Sequence, residues 1–449
     1  MESSSERTLS RRRFMYAATA GAAAAAVVGP TALDASAAGS TASREVTAFA
    51  APRAQDRVKI VHWAHPLSAD DAPVFDSIVQ QFQDAGNNID VEVQLEPWDA
   101  RVERKLAAFA AGQSPDSSYL NSDEFAQYAE QGSLVVIDKY VTEADLADLL
   151  PGPRDAMEWD GIRYQFPILF IPTYPLYNRD IFEKSGLDPD KPPVTWDELD
   201  AQMAQIKAAK DDGKHDAWPM AIPELESVSV TFNSWFYQAG GSVLTPEGKS
   251  GYDAPAGSDA VAFAVHLADN YNSPGNAGAK FGALEDQFFS GQVAYQFLSE
   301  HRAIKRWADE FPDFKLDVAP PTGRDHQASL GGTGACGLWA SKGNEHPDEA
   351  WAWIHFLTNE GNLEYNKAFG LVPARQSLLT EFASTALPLE QKAMEIAFPH
   401  CNIAEKHPKI RDMWAALDPN MQSAFAGDKT PEAAVKDAAA KINSEVLTV

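Results

Sequence analysis

The chain has 449 residues and a formal net charge of −27, from 37 basic and 64 acidic side chains. A surface that negative repels phosphate backbones and anionic membranes, which argues against nucleic acid as a partner and mainly promotes solubility. With 45% hydrophobic and 22% charged residues the composition is that of a globular protein, and the length is enough for two domains with their own cores.

The N-terminal stretch reads as an address. Arg11-Arg12-Arg13-Phe14 precedes an Ala-rich apolar run, Tyr16–Val28, and the cleavage-like Ala35-Ser36-Ala37. That is the layout of a secretory signal, and paired arginines before Phe14 resemble a twin-arginine export signal. The run is shorter than the roughly 18 residues a permanent span needs. Residues 1–38 are therefore expected to be a signal peptide, and 39–56, rich in Ala, Ser and Thr, a flexible tether. No cysteine lies near the cleavage region, so no lipid anchor is indicated, and the expected location is the periplasm or the outer cell surface.

Arg57–Trp63 has strand composition, and Ala64-His65-Pro66 is a turn. Asp71–Ala85 is predicted helical, with Val74, Ile78 and Phe82 on one face. Ile89, Val91, Val93 and Leu95 alternate as in a strand that ends at Glu96-Pro97-Trp98-Asp99. A helix over Arg101–Ala111 follows, closed by Gly112. This order predicts a βαβ unit and a parallel sheet. Residues 117–120 form a short strand whose tip, Asn121-Ser122-Asp123, opens a helix over Glu124–Gln131. Asp123 suits two readings equally, a cap for the helix N–H groups or a carboxylate at a cleft.

Tyr164–Tyr177 is apolar but carries Pro167, Pro172 and Pro175, which predicts a crossing between two bodies rather than a central strand. Thr195-Trp196-Asp197-Glu198 is a capping box. Trp218–Ile222 is a strand candidate, Phe232–Ala239 an aromatic segment closed by Gly240-Gly241, and Asp259–Tyr271 a helix. A helix ends at Gly291, the strand Val293–Leu298 follows at once, and Ser299–Arg302 forms a polar tip. Ligand clefts in open α/β sheets lie outside the carboxyl ends of strands, so this tip is a candidate wall. Lys315–Ala319 is a strand, Pro347 starts a helix, Phe369–Arg375 is a loop, and Thr430-Pro431 starts the last helix.

Gly332-Thr333-Gly334-Ala335-Cys336-Gly337 matches a dinucleotide fingerprint, but that motif needs a strand before it and a helix directly after. Leu338–Ala340 reads as a strand and 341–344 as a loop, so the glycines are expected to form a turn and no nucleotide or other cofactor is expected. The two cysteines, Cys336 and Cys401, lack metal-ligand spacing and admit either one disulfide or two buried thiols.

Several separated pieces, in this order, resemble the extracellular sugar-binding proteins of ABC importers, the maltose-binding-like superfamily. They are Ser114-Pro115-Asp116 through Gly132-Ser133-Leu134, Leu176-Tyr177-Asn178 through Ser185-Gly186-Leu187, and Thr195–Leu199. Phe289-Ser290-Gly291-Gln292-Val293-Ala294-Tyr295, Gly331-Gly332, Asp348–Trp353 with Phe356-Leu357, and Trp414 followed by Thr430–Ala434 continue the set. The resemblance spans about residues 57–446 and implies an α/β, two-lobed periplasmic-binding-protein-like fold of class II. Each lobe is then a mixed sheet flanked by helices, with the ligand cleft between the lobes. The expected division is 57–166 plus 314–362 for the first lobe and 167–313 plus 363–449 for the second. The resemblance also implies a monomer that captures a small-molecule carbohydrate by hinge closure. It would deliver that ligand to ABC permease subunits and, through them, their ATPase, while catalysing nothing itself.

Sugars need aromatic plates for their C–H faces and planar polar groups for their hydroxyls. Matched onto this sequence, the family's cleft positions are His65 after the first strand, Asp123 at the third tip, Thr173 in the crossing, and Asn233 and Trp235 before Gly240. Trp98 joins them because it sits at a strand end, and Gly332 and Arg375 because they lie in the glycine segment and in the Phe369–Arg375 loop. Glu300, His301 and Arg302 stand where many relatives place a stacking Trp, and this ionisable triplet suggests a ligand with a polar or anionic edge. The sequence has no Gly-x-Ser-x-Gly, no His-Glu-x-x-His and no Ca²⁺ loop pattern. The rival reading is a secreted glycosidase with paired carboxylates, which 64 acidic residues do not exclude.

Overall fold

The computed structural model of the chain describes residues 57–67, 71–222, 228–274, 276, 281–340 and 344–448; the expected signal peptide, the tether and residues 341–343 of the expected loop lie outside them. In chain order the described strands are β1 (Val58–Ala64), β2 (Ile89–Leu95), β3 (Ser117–Asn121), β4 (Glu158–Trp159), β5 (Ile162–Arg163), β6 (Gln165–Ile171) and β7 (Thr173–Asn178). They continue with β8 (Trp218–Ala221), β9 (Val293–Glu300), β10 (Leu316–Val318), β11 (Ser329–Leu338), β12 (Val372–Pro373) and β13 (Cys401–Ile403). The first sheet has the order β12-β6-β11-β3-β1-β2, with β13 on β11, and the second has the order β10-β7-β9-β8. β4 and β5 pair with each other as a small hairpin.

The βαβ expectation holds. β1 and β2 run parallel from Val58 opposite Ile89 to Ala64 opposite Leu95, and β3 is parallel to β1 on the other side. Helices Asp71–Asp84 and Arg101–Ala110 are the crossovers. Period-two alternation decides which face each side chain buries: Tyr119 joins one core of the first sheet, with Trp353 and Phe82, and Leu120 joins the opposite one, with Tyr128 and Trp339. The second sheet is likewise covered on both faces. The larger core there includes Trp235, Phe297, Leu417 and Val435, and the smaller includes Tyr174, Phe288 and Ile304. The Thr195 capping box closes as expected, with Glu198 N–H on Thr195 Oγ1 at 3.2 Å and Glu198 Oε2 back on the Thr195 N–H at 3.2 Å. Gly291 takes φ +76°, which a side chain would disfavour, between the helix Phe281–Phe289 and β9.

Two expectations are corrected. The proline-rich crossing is two internal strands, β6 and β7, joined through Pro172 alone. The two prolines inside the strands fit because each meets a break in register. Pro167 sits where β6 slips against β11, and Pro175 where β7 slips against β9, so the missing N–H interrupts a ladder already interrupted. The glycine turn is also a strand: β11 runs unbroken from Ser329 to Leu338 between β6 and β3. Glycine is used there for closeness. A Cβ at Gly331 would collide with the Ile171 carbonyl oxygen and Cys401 Sγ, one at Gly334 with the Tyr119 ring, and one at Gly337 would lie 2.6 Å from Leu120. Cys336 and Cys401 are both free thiols.

The strand pairings also show where the chain changes sheets. Residues 316–318, expected with the first lobe, pair with β7 of the second sheet, because buried Asp317 accepts from Arg179 at 2.7 Å, Tyr177 at 2.9 Å and Lys392 at 2.5 Å. Residues 372–373, expected with the second lobe, pair with β6 of the first sheet. Among the described residues no helix is long and apolar enough to cross a membrane.

Close packing at β11 makes adjacent glycines unequal. Gly331→Ala should cost about 1–3 kcal/mol through overpacking, whereas at Gly332 a Cβ finds its nearest neighbours at 3.7 Å and should be tolerated. Urea unfolding midpoints check this, and equal midpoints for the two variants would contradict the packing described.

Candidate functional site

The carboxyl ends of β1, β2 and β3 form one edge of the first sheet. His65 leaves β1 and places Nδ1 2.7 Å from the carbonyl of Glu96, just past β2. Its ring stacks on Trp98 with centroids 4.4 Å apart and planes 26° from parallel. Tyr119 stands edge-on to both rings, at 5.8 Å and 5.9 Å. Trp98 is fixed by its indole N–H donating to the Pro66 carbonyl at 2.6 Å, and the Arg101 guanidinium lies 5.6 Å from its ring centre. Since Nδ1 faces an acceptor, it carries the proton of the neutral ring. Nε2 is then an acceptor, buried and, among the described residues, without a hydrogen-bond partner. Burial, and then the charge of Lys105, lower the His65 pKa to about 4, so the ring is neutral at pH 7. His62, one turn of the pleat earlier, is lowered to about 3, chiefly by burial, and bonds Ser117 Oγ at 2.8 Å.

Beside the rings lies a cluster of charges. Glu124 receives Arg101 Nε at 3.0 Å, Lys105 Nζ at 3.0 Å and the Asn121 N–H at 2.9 Å. Burial alone would raise its carboxyl; Lys105 and Arg101 outweigh that and hold it at about 2. Arg101 and Lys105 reach the same carboxylate because they are four apart and share a helix face. Asp123 next door pairs with Arg101 at 3.5 Å and with Arg411 at 2.8 Å.

The facing edge belongs to the second sheet, where β8 and β9 are parallel and end at Ala221 and Glu300. Glu300 sits opposite Thr173 in register and pairs with Arg302 at 2.7 Å. Burial chiefly, with the charge of Glu124 adding to it, raises the Tyr119 phenol. Surface cavities of about 490 Å³ beside Tyr140 and Trp351, and about 610 Å³ beside Val194 and Lys392, share no residue with these edges.

The sequence candidates divide accordingly. His65, Trp98 and Asp123 come together on the first edge, and Glu300 with Arg302 lies on the second. Gly332 lies in β11 within 4 Å of Ser122, beside them. Thr173 is a joint rather than a free hydroxyl: its Oγ1 donates to the Leu330 carbonyl and its carbonyl accepts from Ser329 Oγ at 2.7 Å. Asn233 is buried and accepts from the Tyr252 hydroxyl at 3.0 Å. Trp235 is a core residue with 0% exposure, stacked on Phe297 at 3.7 Å. His301 turns inward, 2.7 Å from the Tyr174 hydroxyl and under Phe398. Arg375 is spent on Asp145 at 2.7 Å and Asp148 at 3.3 Å in the first lobe. The sequence candidates omit Arg101, Tyr119, Glu124 and Arg411. The adjacent acids Asp123-Glu124 and the Arg-x-x-x-Lys spacing of the preceding helix were a readable sign of Arg101 and Glu124, whereas nothing local marked Arg411.

The buried imidazoles set an acid limit on stability. Each takes up a proton in the unfolded chain below about pH 6.5 but in the fold only near pH 4 (His65) or 3 (His62), so their contribution is full above about pH 6.5 and is lost progressively as pH falls toward the folded values. Glu124, depressed in the fold, loses its share between about pH 4.3 and its folded value of about 2. The melting temperature should therefore decline from pH 6.5 downward, and His62→Gln should flatten the slope between pH 6.5 and 4. A melting temperature constant from pH 6.5 to 4.5 would contradict neutral buried imidazoles.

A family model described as bacterial extracellular solute-binding protein matches residues 65–364. A putative binding protein of Brucella abortus is 26% identical over 390 residues, covering 84% of this chain and 90% of the relative. The maltotriose-binding protein of Pyrococcus abyssi is 22% identical over 366 residues, 80% of this chain and 76% of that one. Among solved structures, an ABC transporter solute-binding protein from Thermotoga lettingae, bound with α-D-tagatose, superposes with a TM-score of 0.74 at 25% identity, covering 86% of this chain and 99% of that one. Because the family match runs through both sheets and the strands that join them, the chain belongs to the bacterial extracellular solute-binding proteins and has the two-lobed fold of the sugar-binding members that serve ABC importers.

Proposed function

We propose that the protein is an exported receptor that captures a mono- or oligosaccharide between its two lobes and delivers it to an ABC permease, acting as a monomer and without turnover. The observation that carries this reading is the stacked His65–Trp98 pair beside Tyr119, with Asp123 and Arg101 at its border. An aromatic plate flanked by planar charged groups is what a sugar face and its hydroxyl edge require. The relatives add support: one is named for maltotriose and another was solved with α-D-tagatose. The Arg11-Arg12-Arg13-Phe14 start supports export by the twin-arginine route. Sheet membership supports placing residues 57–171 and 329–374 in the first lobe and 173–328 in the second, with the helix Ile410–Phe425 also in the second because its buried face joins that core.

A thermal-shift screen over a carbohydrate library tests the receptor. A true ligand at a hundredfold excess over its dissociation constant adds roughly 2.7 kcal/mol to stability, and Trp98→Ala should abolish most of that shift with an unchanged far-UV CD spectrum. A library without any responder, or hydrolysis of chromogenic glycosides by the purified protein, would refute the proposal.

A further inference from the structure

We propose that Arg411, on the second lobe, is a ligand-binding residue that forms with Asp123 a clamp for a vicinal diol, and that the pair selects neutral sugars over sugar acids. The inference rests on the receptor reading above and names the substrate class of the same cleft. Arg411 lies in the first turn of the helix Ile410–Phe425, whose buried residues Ile410, Met413 and Leu417 belong to the second core. Asp123 follows β3 of the first sheet. Their contact, Nη1 to Oδ2 at 2.8 Å, therefore joins the two lobes directly.

The hydrogen-bond inventory of the pair favours a diol. Both arginines on Asp123, Arg101 and Arg411, reach the same oxygen, Oδ2. Among the described residues Oδ1 has no hydrogen-bond partner, and neither do Nε and Nη2 of Arg411. A carboxylate oxygen only accepts and a guanidinium only donates. Two adjacent hydroxyls satisfy both at once, one donating to Oδ1 and the other accepting from Arg411. Side-chain exposure is 15% for Asp123 and 38% for Arg411, so both remain reachable.

The charges of the cleft disfavour an acid. Lys105 and Arg101 are bound to Glu124, and Arg302, the cation of the polar tip, is bound to Glu300 and approaches Glu285. That pairing removes the ground for expecting an anionic ligand edge. A ligand carboxylate on Arg411 would have to displace Asp123 or sit against it, and like charges in contact are penalised.

Two measurements test the clamp. The first needs no sugar: spin labels at Lys59→Cys and Lys191→Cys, exposed sites on the two lobes, report the interlobe distance. Arg411→Gln should broaden and lengthen the distribution, as should 1 M NaCl on the parent; distributions identical in the variant and the parent would overturn the contact. The second compares neutral sugars, including D-tagatose and maltotriose, with D-galacturonate and D-glucuronate by calorimetry. The responder should be neutral, Arg411→Gln should weaken it about tenfold, the worth of one hydrogen bond to a charged group, and Arg411→Lys should recover part of that loss. A responder that is only an acid, or one indifferent to Arg411→Gln, overturns the clamp while leaving the receptor reading intact. A parent protein silent to every sugar overturns the receptor reading and the clamp's ligand together, and the spin-label distances still decide the interlobe contact.

Discussion

At the point where the chain passes from one sheet to the other, two hydroxyls and two carbonyls hold each other. Thr173 Oγ1 donates to the Leu330 carbonyl, and Ser329 Oγ donates to the carbonyl of Thr173. Ser234, on the helix Val228–Gln238 of the second lobe, accepts the Leu330 N–H at 3.0 Å. The start of β11, a strand of the first sheet, is thus hydrogen-bonded to the first residue of β7 in the second sheet and to a helix packed on that second sheet. Buried polar groups are costly when unmet, so this joint permits few alternative registers. Gly331 lets the strands meet that closely. The position of every residue on the two edges depends on it: β3 takes its register from β11, and β9 takes its register from β7, which starts at Thr173.

The strands of the first βαβ unit were legible because one rule decides them. Alternation from Ile89 to Leu95 and a four-residue recurrence from Val74 to Phe82 each specify one apolar face; the structure buries Ile78, Phe82 and Ile89, packs Val74, Val91 and Val93 half-buried against the same core, and leaves Leu95 at the strand's end exposed. Misreadings arose where tertiary structure overrides a local signal. Three prolines within ten residues argue against a central strand, but the cost of a proline is one missing ladder bond, and at Pro167 and Pro175 a break in register has already removed it. Glycines in series argue for a turn, yet in β11 they answer to the Tyr119 ring, the Leu120 side chain and the Ile171 carbonyl. Those neighbours are more than 150 residues away in the chain, and no window of sequence contains them. The pairing of residues 316–318 was out of reach for the same reason: Asp317 is bonded to Arg179 and Lys392, partners far from it in sequence.

At the site, strand ends were a good guide and aromatic identity was a poor one. His65, Trp98 and Asp123 were marked by their place after a predicted strand, and they converge. Trp235 was marked mainly by being a tryptophan near a glycine pair, and it fills the second core. His301 comes after a strand tip too, but the chain turns into a helix at Arg302, and that turn directs the imidazole toward Tyr174 and Glu390 instead of outward. Position along a strand places a Cα at the edge; the next element of the chain decides where the side chain goes.

The charge cluster shows how such an edge remains both buried and reactive. Glu124 and Lys105 are almost wholly buried, a costly arrangement unless each charge is paired and bonded. They are, and Arg101 adds a second cation, so Glu124 stays ionised and rigid. Arg101 divides its donors between Glu124 and Asp123, which leaves Asp123 only partly neutralised and turned toward Arg411 of the other lobe. A single carboxylate without that scaffold would be protonated by burial or swing into solvent. Held as it is by Arg101 and Arg411, Asp123 is already oriented at the edge, and in the receptor proposed above that preorganisation would lower the cost of binding through residues that need not touch a ligand at all.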